Sequence, residues 1–465
     1  MLQGSAYRNN TFFSAILLSA FLIAAGVYFN WHLQLDDALI YYRYIENALH
    51  GNGLVYNPGE RYNALTSPLY AYLMLFFATL TQGHIHAVAM LLSGVSHFLL
   101  SAFLIVYFLR KISPVALLAI PFLVASRFYF YGVYGMETLL YLALSIAALI
   151  LFERQRFGAL GIVAALLILT RSEMIFLIVA FALEHRLRKM PFPRWQDYIV
   201  PALILAIHFG FNAWYYGALL PQSAGAKTTQ AMSGLWGDGL VFLNLHYLLG
   251  LFFNNDFRLA AIFASTGIIG LYGLRGMGLL RVWFIFLALY TAFYIGFNIP
   301  NYHWYYAPYF LTGILGQIGL ISLLARHKKT LAILVTAALI TANAGALFPA
   351  MQQRGPHPHY PAIGQWIRQN VPQKATIGVI EIGHIGWYSK RPIIDAMGLV
   401  TPRNAEWMAH REFTRWVEYY RPDYLMLHQP LWPQELALQR FHDDKSYVTV
   451  RDFPFPRYQL WRRAK

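Results

Sequence analysis

Long apolar runs with almost no charge limit what this chain can fold into. A helix that crosses the hydrocarbon core of a bilayer needs about 20 predominantly apolar residues. The chain contains several such runs, at 11–31, 87–109, 282–298 and 330–348. Hydrophobic residues make up 58% of the sequence and charged residues only 12%, about half the charged share of a typical soluble domain. These features predict an integral membrane protein built mainly of helices.

Clusters of Lys and Arg predict which helix ends face the cytoplasm. Such clusters collect in the cytoplasmic loops of membrane proteins, so the net charge of +15 indicates membrane topology and not nucleic-acid binding. The clusters occupy 110–111, 154–156, 186–189, 275–281 and 326–329. Four polar loops then fall on the external side, at 135–138, 170–173, 215–227 and 301–306.

Two apolar segments decide the number of crossings. If 68–81 and 239–253 are re-entrant or lie on the membrane surface, there are about 11 crossings, and if both cross there are about 13. The higher count places three basic clusters outside, against the positive-inside rule, so the lower count is preferred. The first run leads into Asp36 without a small-residue cleavage site, which indicates a retained helix and not a signal peptide. Both counts place the C-terminus outside.

The sequence becomes polar towards its C-terminal end, which predicts a membrane domain over 1–348 and an external soluble α/β domain over 349–465. A Pro-rich linker at 354–361 separates them. Apolar residues at helical spacing over 363–371 predict a helix. The other predicted elements are a strand at 376–382 followed by a turn, a helix at 403–420, and strands at 423–428, 446–453 and 458–462.

The first external loop, 36–67, carries two adjacent acids where a helix is predicted to begin. One Asp at a helix start is explained as a cap, but a cap needs only one acid. Two like charges side by side at a membrane boundary repel each other and are costly unless something uses them. Asp36 and Asp37 are therefore the leading candidates for a functional carboxylate.

The helix that begins at these acids is predicted to lie on the membrane surface. Gly51 and Gly53 mark its end, since glycine commonly terminates helices. An apolar stripe suited to contact with lipid runs along it, formed by Leu39 or Ile40, Tyr44, Ile45 and Ala48.

Two further external loops hold acids that have both functional and ordinary explanations. Glu137 is a candidate site residue, but it could equally cap the helix predicted at 138–152. Arg171 and Glu173 are candidate site residues as well, and the ordinary explanation is a structural ion pair beside the membrane.

The remaining external candidates are a lysine and a group of aromatic residues. Lys227 is either a site residue or a solvated loop lysine. His303, Trp304 and Tyr305 have the composition of the aromatic anchors that are common at membrane interfaces.

Thiol and metal chemistry have little support in the sequence. Cysteine is absent, so the chain forms no disulfide. The pairs His84/His86 and His357/His359 have no nearby acid to complete a metal site. No metal site is assigned and no cofactor is expected, although a divalent metal stays possible.

Several short motifs occur in a fixed order after the acid pair. They are Gly-Asn-Gly-Leu-Val-Tyr-Asn-Pro-Gly-Glu at 51–60, Gly-Met-Glu-Thr at 135–138, Thr-Arg-Ser-Glu at 170–173, Tyr-Gly-Ala-Leu-Leu-Pro at 216–221 leading to Lys227, and Tyr-Tyr-Ala-Pro at 305–308. This ordered set resembles bacterial GT-C glycosyltransferases that use polyprenyl-phosphate sugars. More narrowly, it is similar to terminal arabinofuranosyltransferases of the mycobacterial cell wall and to a pilin-arabinosylating relative.

The resemblance implies a membrane all-α fold, a GT-C-like bundle of about 11 to 13 transmembrane helices with a C-terminal soluble α/β domain. It implies an inverting transfer of a sugar, D-arabinofuranose, from a polyprenyl-phosphate donor. The acceptor would be an envelope glycan, a glycolipid or a pilin-like protein outside the bacterial cytoplasmic membrane. Lipid and the donor are the expected partners, and nucleic acid is not.

The resemblance also implies roles for particular residues. Asp36 is expected to be the catalytic base, with Asp37 as the adjacent alternative, because a carboxylate must take the proton from the attacking hydroxyl. Cations must stabilise the departing phosphate. The expected substrate-binding residues are Arg43, Glu137, Arg171, Glu173, Lys227, His303 and Tyr305, with Arg171 and Lys227 as the phosphate clamp.

Two positions depart from the family pattern. Ser172 stands where the family often has Pro, which matters little. His303 and Trp304 stand where an Arg is expected before Tyr-Tyr-Ala-Pro, which puts one phosphate or sugar contact in doubt unless a protonated His303 replaces it.

Other functions stay open at this stage. A related transferase that uses mannose or an aminosugar would carry the same acids and basic loops. A transporter or flippase for lipid-linked sugar would show paired halves and charges inside broken helices near the bilayer midplane. An assembly protein with a partner-binding external domain would not need two acids and an arginine loop on one side.

Overall fold

A helical bundle forms the first three quarters of the protein. The computed structural model describes residues 2–126, 128–237, 239–253, 255–353, 359–454 and 457–464. The helices of the bundle are α1 (Leu2–Phe29), α2 (Asp36–Leu49), α3 (Pro68–Leu80), α4 (Ile85–Phe108), α5 (Pro114–Ala125), α6 (Phe128–Tyr131), α7 (Thr138–Glu153), α8 (Phe157–Thr170), α9 (Ile175–Leu187), α10 (Ile199–Tyr216), α11 (Gln222–Met232), α12 (Leu245–Phe253), α13 (Phe257–Gly273), α14 (Gly278–Gly296), α15 (Ala307–His327) and α16 (Lys329–Gln353).

Four helices within the described ranges are long and apolar enough to cross a membrane. They are Arg8–Phe29, Ile85–Phe108, Trp195–Tyr216 and His303–His327. The last two spans include the 3-10 turns that precede α10 and α15. Shorter apolar helices of 10–17 residues fill the space between them. The bundle confirms the predicted all-α membrane fold.

The apolar segments 68–81 and 239–253, on which the number of crossings depends, both form short helices. α3 has 13 residues, and 239–253 is divided into a 3-10 turn, Gly239–Leu243, and α12, which has 9 residues. At about 1.5 Å per residue, neither helix alone reaches across a hydrocarbon core of about 30 Å. Helices α5 and α9, with 12 and 13 residues, are equally short, so the number of crossings stays a prediction.

Ion pairs join basic clusters at one end of the bundle. The buried Glu184 carboxylate accepts hydrogen bonds from Arg188 at 2.5 Å and from Arg281 at 2.5 Å. Lys111 pairs with Glu153 between the ends of α4 and α7. The clusters at 186–189 and 275–281 therefore share one end of the bundle, as the charge pattern predicted.

Glycines allow α13 and α15 to pack with their backbones in contact. A Cβ atom on Gly270 would lie 1.6 Å from the carbonyl oxygen of Gly316, and one on Gly316 would lie 2.2 Å from the carbonyl oxygen of Gly267. Small residues allow such close approach between membrane helices, where apolar side chains gain little by avoiding lipid. No larger residue fits this crossing.

The C-terminal domain, residues 359–464, is a small α/β unit. Its elements are α17 (His359–Asn370), β1 (Ile377–Val379), α18 (Ile382–Ser389), β2 (Ile393–Asp395), α19 (Pro402–Ala409), α20 (Arg415–Tyr420), β3 (Tyr424–His428), α21 (Gln439–Asp443), β4 (Tyr447–Pro454) and β5 (Arg457–Arg463). The sheet order is β2-β1-β3-β5-β4. β1 is parallel to β2 and β3, whereas β5 is antiparallel to β3 and β4.

The sequence predicted α17 and the last three strands closely but missed other elements of this domain. The strand predicted at 376–382 ends at Val379, and helix α18 replaces the predicted turn. β2 was not predicted. The helix predicted at 403–420 is divided into α19 and α20, with Arg411 at a φ of 58° between them. Most of the predicted linker, 354–358, including His357, lies outside the described residues.

The apolar stripe of α2 is buried inside the protein, so the prediction that it lies on the membrane surface is wrong. Leu39, Tyr44 and Ile45 are inaccessible to solvent. α2 packs against α18 on one side and against α3 and α4 on others. The stripe therefore contacts protein where the sequence suggested lipid.

Replacing a crossing glycine tests the packing of α13 on α15. Gly270→Ala must push the helices apart, so we expect a loss of about 1 to 3 kcal/mol, measured as a lower thermal unfolding midpoint in detergent. Gly210→Ala is the matched control, because its Cβ would meet no atom within 4 Å. Alanine is more favourable than glycine inside a helix by about 0.5 to 1 kcal/mol, so the unfolding midpoint of Gly210→Ala should stay the same or rise. Equal midpoints for the two variants would contradict this packing.

Candidate active site

The external loops predicted from the sequence converge on one pocket of about 1150 Å³, including its open mouth. Its polar wall contains Asp37, Arg171, Glu173, Lys227 and Tyr305. Its apolar wall includes Ile168, Leu169, Phe209 and Phe293 from the membrane helices. The pocket thus joins a charged region to an apolar one, as a ligand with a polar head and a lipid tail requires.

Asp37 presents its carboxylate to this pocket from the first turn of α2. Burial raises the pKa of the Asp37 carboxyl to about 6. The charge of Lys227 opposes this shift, whereas the negative charges of Asp36 and Glu137 add to it. A carboxylate with a pKa near neutrality is well suited to accept a proton.

Asp36 points away from the pocket and binds the C-terminal domain. Its Oδ2 accepts from the backbone N–H of Gly383 at 3.1 Å, and its Oδ1 accepts from the N–H of His384 at 2.7 Å. The Nδ1 atom of His384 lies 2.7 Å from the same Oδ1. Burial alone raises the pKa of Asp36, but the hydrogen bonds and charge of His384 lower it below its usual value.

These contacts change the order of the two candidate bases. The sequence placed Asp36 first, because an adjacent pair of acids gives no sign of which side chain faces a ligand. In the structure both oxygens of Asp36 are bound by the C-terminal domain, and Asp37 lines the pocket. Of the two candidates, Asp37 is therefore the one that a ligand in the pocket could reach.

Arg171 is the centre of a buried ion cluster at the pocket wall. Its Nη1 donates to Glu137 at 2.8 Å and its Nη2 donates to Glu173 at 2.6 Å. The guanidinium carbon lies 5.1 Å from the centre of the Tyr305 ring. The ion pair that was the ordinary explanation for these two residues exists, and Arg171 and Glu173 also line the pocket.

Glu137 lies behind Arg171 and is inaccessible to solvent. Glu137 is the N-cap residue of α7, but its carboxylate makes no capping hydrogen bond and pairs with Arg171. Burial raises the pKa of Glu137 even though Arg171 opposes the shift, whereas the pKa of Glu173 is lowered because Arg171 outweighs burial there.

Lys227 is a pocket residue on helix α11, not a solvated loop lysine. Its Nζ lies 3.9 Å from the centre of the Tyr302 ring. Burial favours the neutral amine, but Tyr302, Tyr305 and Asp37 outweigh it and raise the pKa of Lys227 above its usual value. Lys227 therefore keeps its positive charge beside Asp37.

Besides Glu137, two predicted substrate contacts, Arg43 and His303, lie outside the pocket lining. Arg43 is buried at the junction with the C-terminal domain, where it donates to the carbonyls of Gly386 and Arg391, both at 2.7 Å. Its guanidinium is committed to protein, so it joins domains and does not reach the pocket. The ring of His303 packs against Trp304, with centroids 4.8 Å apart, and only Trp304 of the two lines the pocket.

Three residues that the sequence did not single out contribute to the site. Tyr294 lines the pocket and donates to Glu173 at 2.8 Å, Tyr302 lies under Lys227, and His384 holds Asp36. Tyr302 belongs to a predicted external loop, which was a signal for it. Tyr294 lies in an apolar helix and His384 far along the chain, so neither carried a local signal.

Comparison with solved structures identifies the fold. The apo crystal structure of ArnT from Cupriavidus metallidurans matches with a TM-score of 0.59 at 11% identity, over 95% of this chain and 97% of that one. ArnT bound to undecaprenyl phosphate matches with a TM-score of 0.56 at 14% identity, over the same shares of 95% and 97%. The chain has the GT-C fold.

Sequence relatives of this GT-C protein cover parts of it. It is 28% identical over 275 residues to a terminal beta-(1->2)-arabinofuranosyltransferase of Corynebacterium glutamicum, covering 49% of this chain and 37% of the relative. The chain thus matches little more than a third of that relative's length. Residues 349–464 match a family described as a domain of unknown function (DUF8728).

Removing one carboxylate from the Arg171 cluster tests how strongly the cluster supports the GT-C pocket. Breaking a buried ion pair costs about 3 to 5 kcal/mol, so Glu137→Ala should lower the thermal unfolding midpoint markedly. Glu412→Ala breaks an exposed pair with Arg415 and should cost about 0 to 1 kcal/mol. Similar midpoints for both variants would show that the buried cluster does not stabilise the fold.

Proposed function

We propose that the protein is an inverting glycosyltransferase that moves a sugar, D-arabinofuranose, from a polyprenyl-phosphate donor to an acceptor hydroxyl. The acceptor is an envelope glycan, a glycolipid or a protein. One observation carries the proposal: a single pocket holds a carboxylate with a raised pKa, Asp37, together with the cations Lys227 and Arg171. Transfer from a sugar phosphate needs both kinds of group.

The proposed reaction uses each of these groups once. Asp37 takes the proton from the acceptor hydroxyl as its oxygen attacks the anomeric carbon. The new carbon–oxygen bond forms while the bond to the phosphate oxygen breaks, and polyprenyl phosphate leaves with the bonding electrons. Lys227 and Arg171 stabilise the charge that grows on the phosphate. A single displacement inverts the anomeric centre, by analogy with inverting glycosidases.

The shape of the pocket supports a lipid-linked donor. Its apolar wall comes from helices of the membrane region and its charged wall from the polar loops. The related fold of ArnT, solved with undecaprenyl phosphate, supports the same class of donor.

The choice of arabinofuranose rests on the Corynebacterium glutamicum relative and on the ordered motifs. The external side of the cytoplasmic membrane is proposed because the pocket lies away from the basic clusters at 186–189 and 275–281. A donor carrying mannose or an aminosugar is the nearest alternative, because the charged groups would act on any sugar phosphate. A flippase is less favoured, since the charged groups gather in one pocket at the helix ends.

Transfer with purified protein tests the proposal. The protein in lipid nanodiscs is given synthetic polyprenyl-phosphate D-arabinofuranose and a panel of glycan, glycolipid and peptide acceptors. We expect release of polyprenyl phosphate and a product of inverted anomeric configuration, detected by mass spectrometry and NMR. Turnover only with a mannose or aminosugar donor would replace the arabinose assignment. The transferase proposal would be wrong if no donor turned over and the protein instead moved lipid-linked sugar across the bilayer of proteoliposomes.

The pH dependence separates the two acids. Asp37 acts in its deprotonated form, so the rate should rise with pH and reach half its maximum near pH 6.

Asp37→Asn should lower kcat by about 10² to 10⁴ while the donor still binds. Asp36→Asn removes a neighbouring negative charge, which lowers the pKa of Asp37, so half-maximal rate should move to lower pH. An unchanged profile in Asp36→Asn, or an active Asp37→Asn, would contradict these roles.

A further inference from the structure

The N-terminal turn of α18 binds a carboxylate that belongs to another part of the chain. The backbone N–H groups of Gly383 and His384 point to Asp36 at 3.1 and 2.7 Å. Free N–H groups and the helix dipole make a helix start favourable for an anion. A Cβ on Gly383 would lie 1.9 Å from the carbonyl oxygen of Asp36, so only glycine allows this approach.

The His384 ring completes the grip on Asp36. Its Nδ1 lies 2.7 Å from Asp36 Oδ1, and the residue is only 4% exposed. The ring of Tyr360 stacks on it with centroids 5.2 Å apart and an interplanar angle of 27°. His384 is thus held on one side by the C-terminal domain and presents a fixed nitrogen to Asp36.

Fixing Asp36 also fixes the direction of Asp37. Neighbouring residues on a helix point about 100° apart, since a turn holds about 3.6 residues. If Asp36 is bound to α18, the rotation of the first turn of α2 turns Asp37 towards the pocket. The N-cap residue Leu35 makes no side-chain cap bond, so this turn has no local side chain holding its start.

The C-terminal domain also holds the helix that carries Lys227. Arg411 donates from Nε to the carbonyl of Ser233 at 2.7 Å, just after α11 ends. Gln230 of α11 donates to the carbonyl of Met397 at 3.3 Å. The C-terminal domain therefore holds both α2, which carries Asp37, and α11, which carries Lys227.

We propose that His384 is a positioning residue of the transfer reaction, which holds Asp36 so that the Asp37 carboxylate faces the reacting atoms. It touches neither donor nor acceptor and acts through Asp36. The inference rests on the proposed function, because its readout is turnover. It gives the C-terminal domain a part in catalysis although none of the pocket-lining residues belongs to that domain.

The test compares His384→Ala, His384→Asn and His410→Ala in nanodiscs with the donor and acceptor that wild type uses. Misplacing a catalytic group by about 1 Å can cost a rate factor of about 100, so His384→Ala should lower kcat by about 10-fold to 100-fold. KM for the donor should stay unchanged, since Lys227 and Arg171 are intact. His384→Asn should recover part of kcat, because its amide can donate to Asp36. His410 is exposed, its ring bonds only the carbonyl of Glu406 among the described contacts, and it serves as the control.

Three results would overturn the inference. The first is a kcat of His384→Ala equal to that of the control variant. The second is an equal loss of kcat in His384→Asn and His384→Ala. The third is a rise in the donor KM of His384→Ala with kcat unchanged. Inactive wild type would instead refute the proposed function.

If His384→Ala is not recovered folded, a double-mutant cycle of Asp36→Asn with His384→Asn decides. Residues that act through one contact give non-additive losses, whereas additive losses would reject the pair.

Discussion

The close contact between α2 and α18 is the constraint on which the site depends. α2 carries both acids, and it is held against the C-terminal domain by Gly383, which leaves room for the carbonyl of Asp36, and by the buried Arg43, which donates to carbonyls of that domain. Buried donors such as the Arg43 guanidinium are costly to leave unpaired, so separating α2 from the C-terminal domain would lower the stability of the protein. The orientation of the acid pair is thus a property of the interface and not of the first loop alone.

The two cations of the pocket are held in different ways. Arg171 is already paired with Glu137 and Glu173, which fix its position but offset its charge. Lys227 lies against the face of Tyr302, a contact that orients an ammonium group without neutralising it. In the proposed reaction Lys227 therefore supplies most of the new attraction for the leaving phosphate, whereas Arg171 gives a rigid donor.

Sequence patterns predicted what depends on neighbours along the chain. The apolar runs predicted the bundle, the apolar segments of the polar C-terminal region predicted β3 to β5, and the polar loops predicted most of the pocket lining. They did not predict the burial of the α2 stripe, which follows from packing against α3, α4 and α18. Nor did they predict the choice between Asp36 and Asp37, which follows from a contact 348 positions away in sequence. The turn predicted after residue 382 is helix α18, whose Gly383 leaves room for the backbone of α2 and whose Gly386 leaves room for the hydroxyl of Tyr56.

The bond between Asp36 and His384 joins residues 348 positions apart in the sequence. Because a polypeptide is made from its N-terminus, α2 is synthesised long before α18 exists to bind it. The contact that orients the acid pair in this structure therefore forms only after residue 384 has been synthesised and has folded against α2.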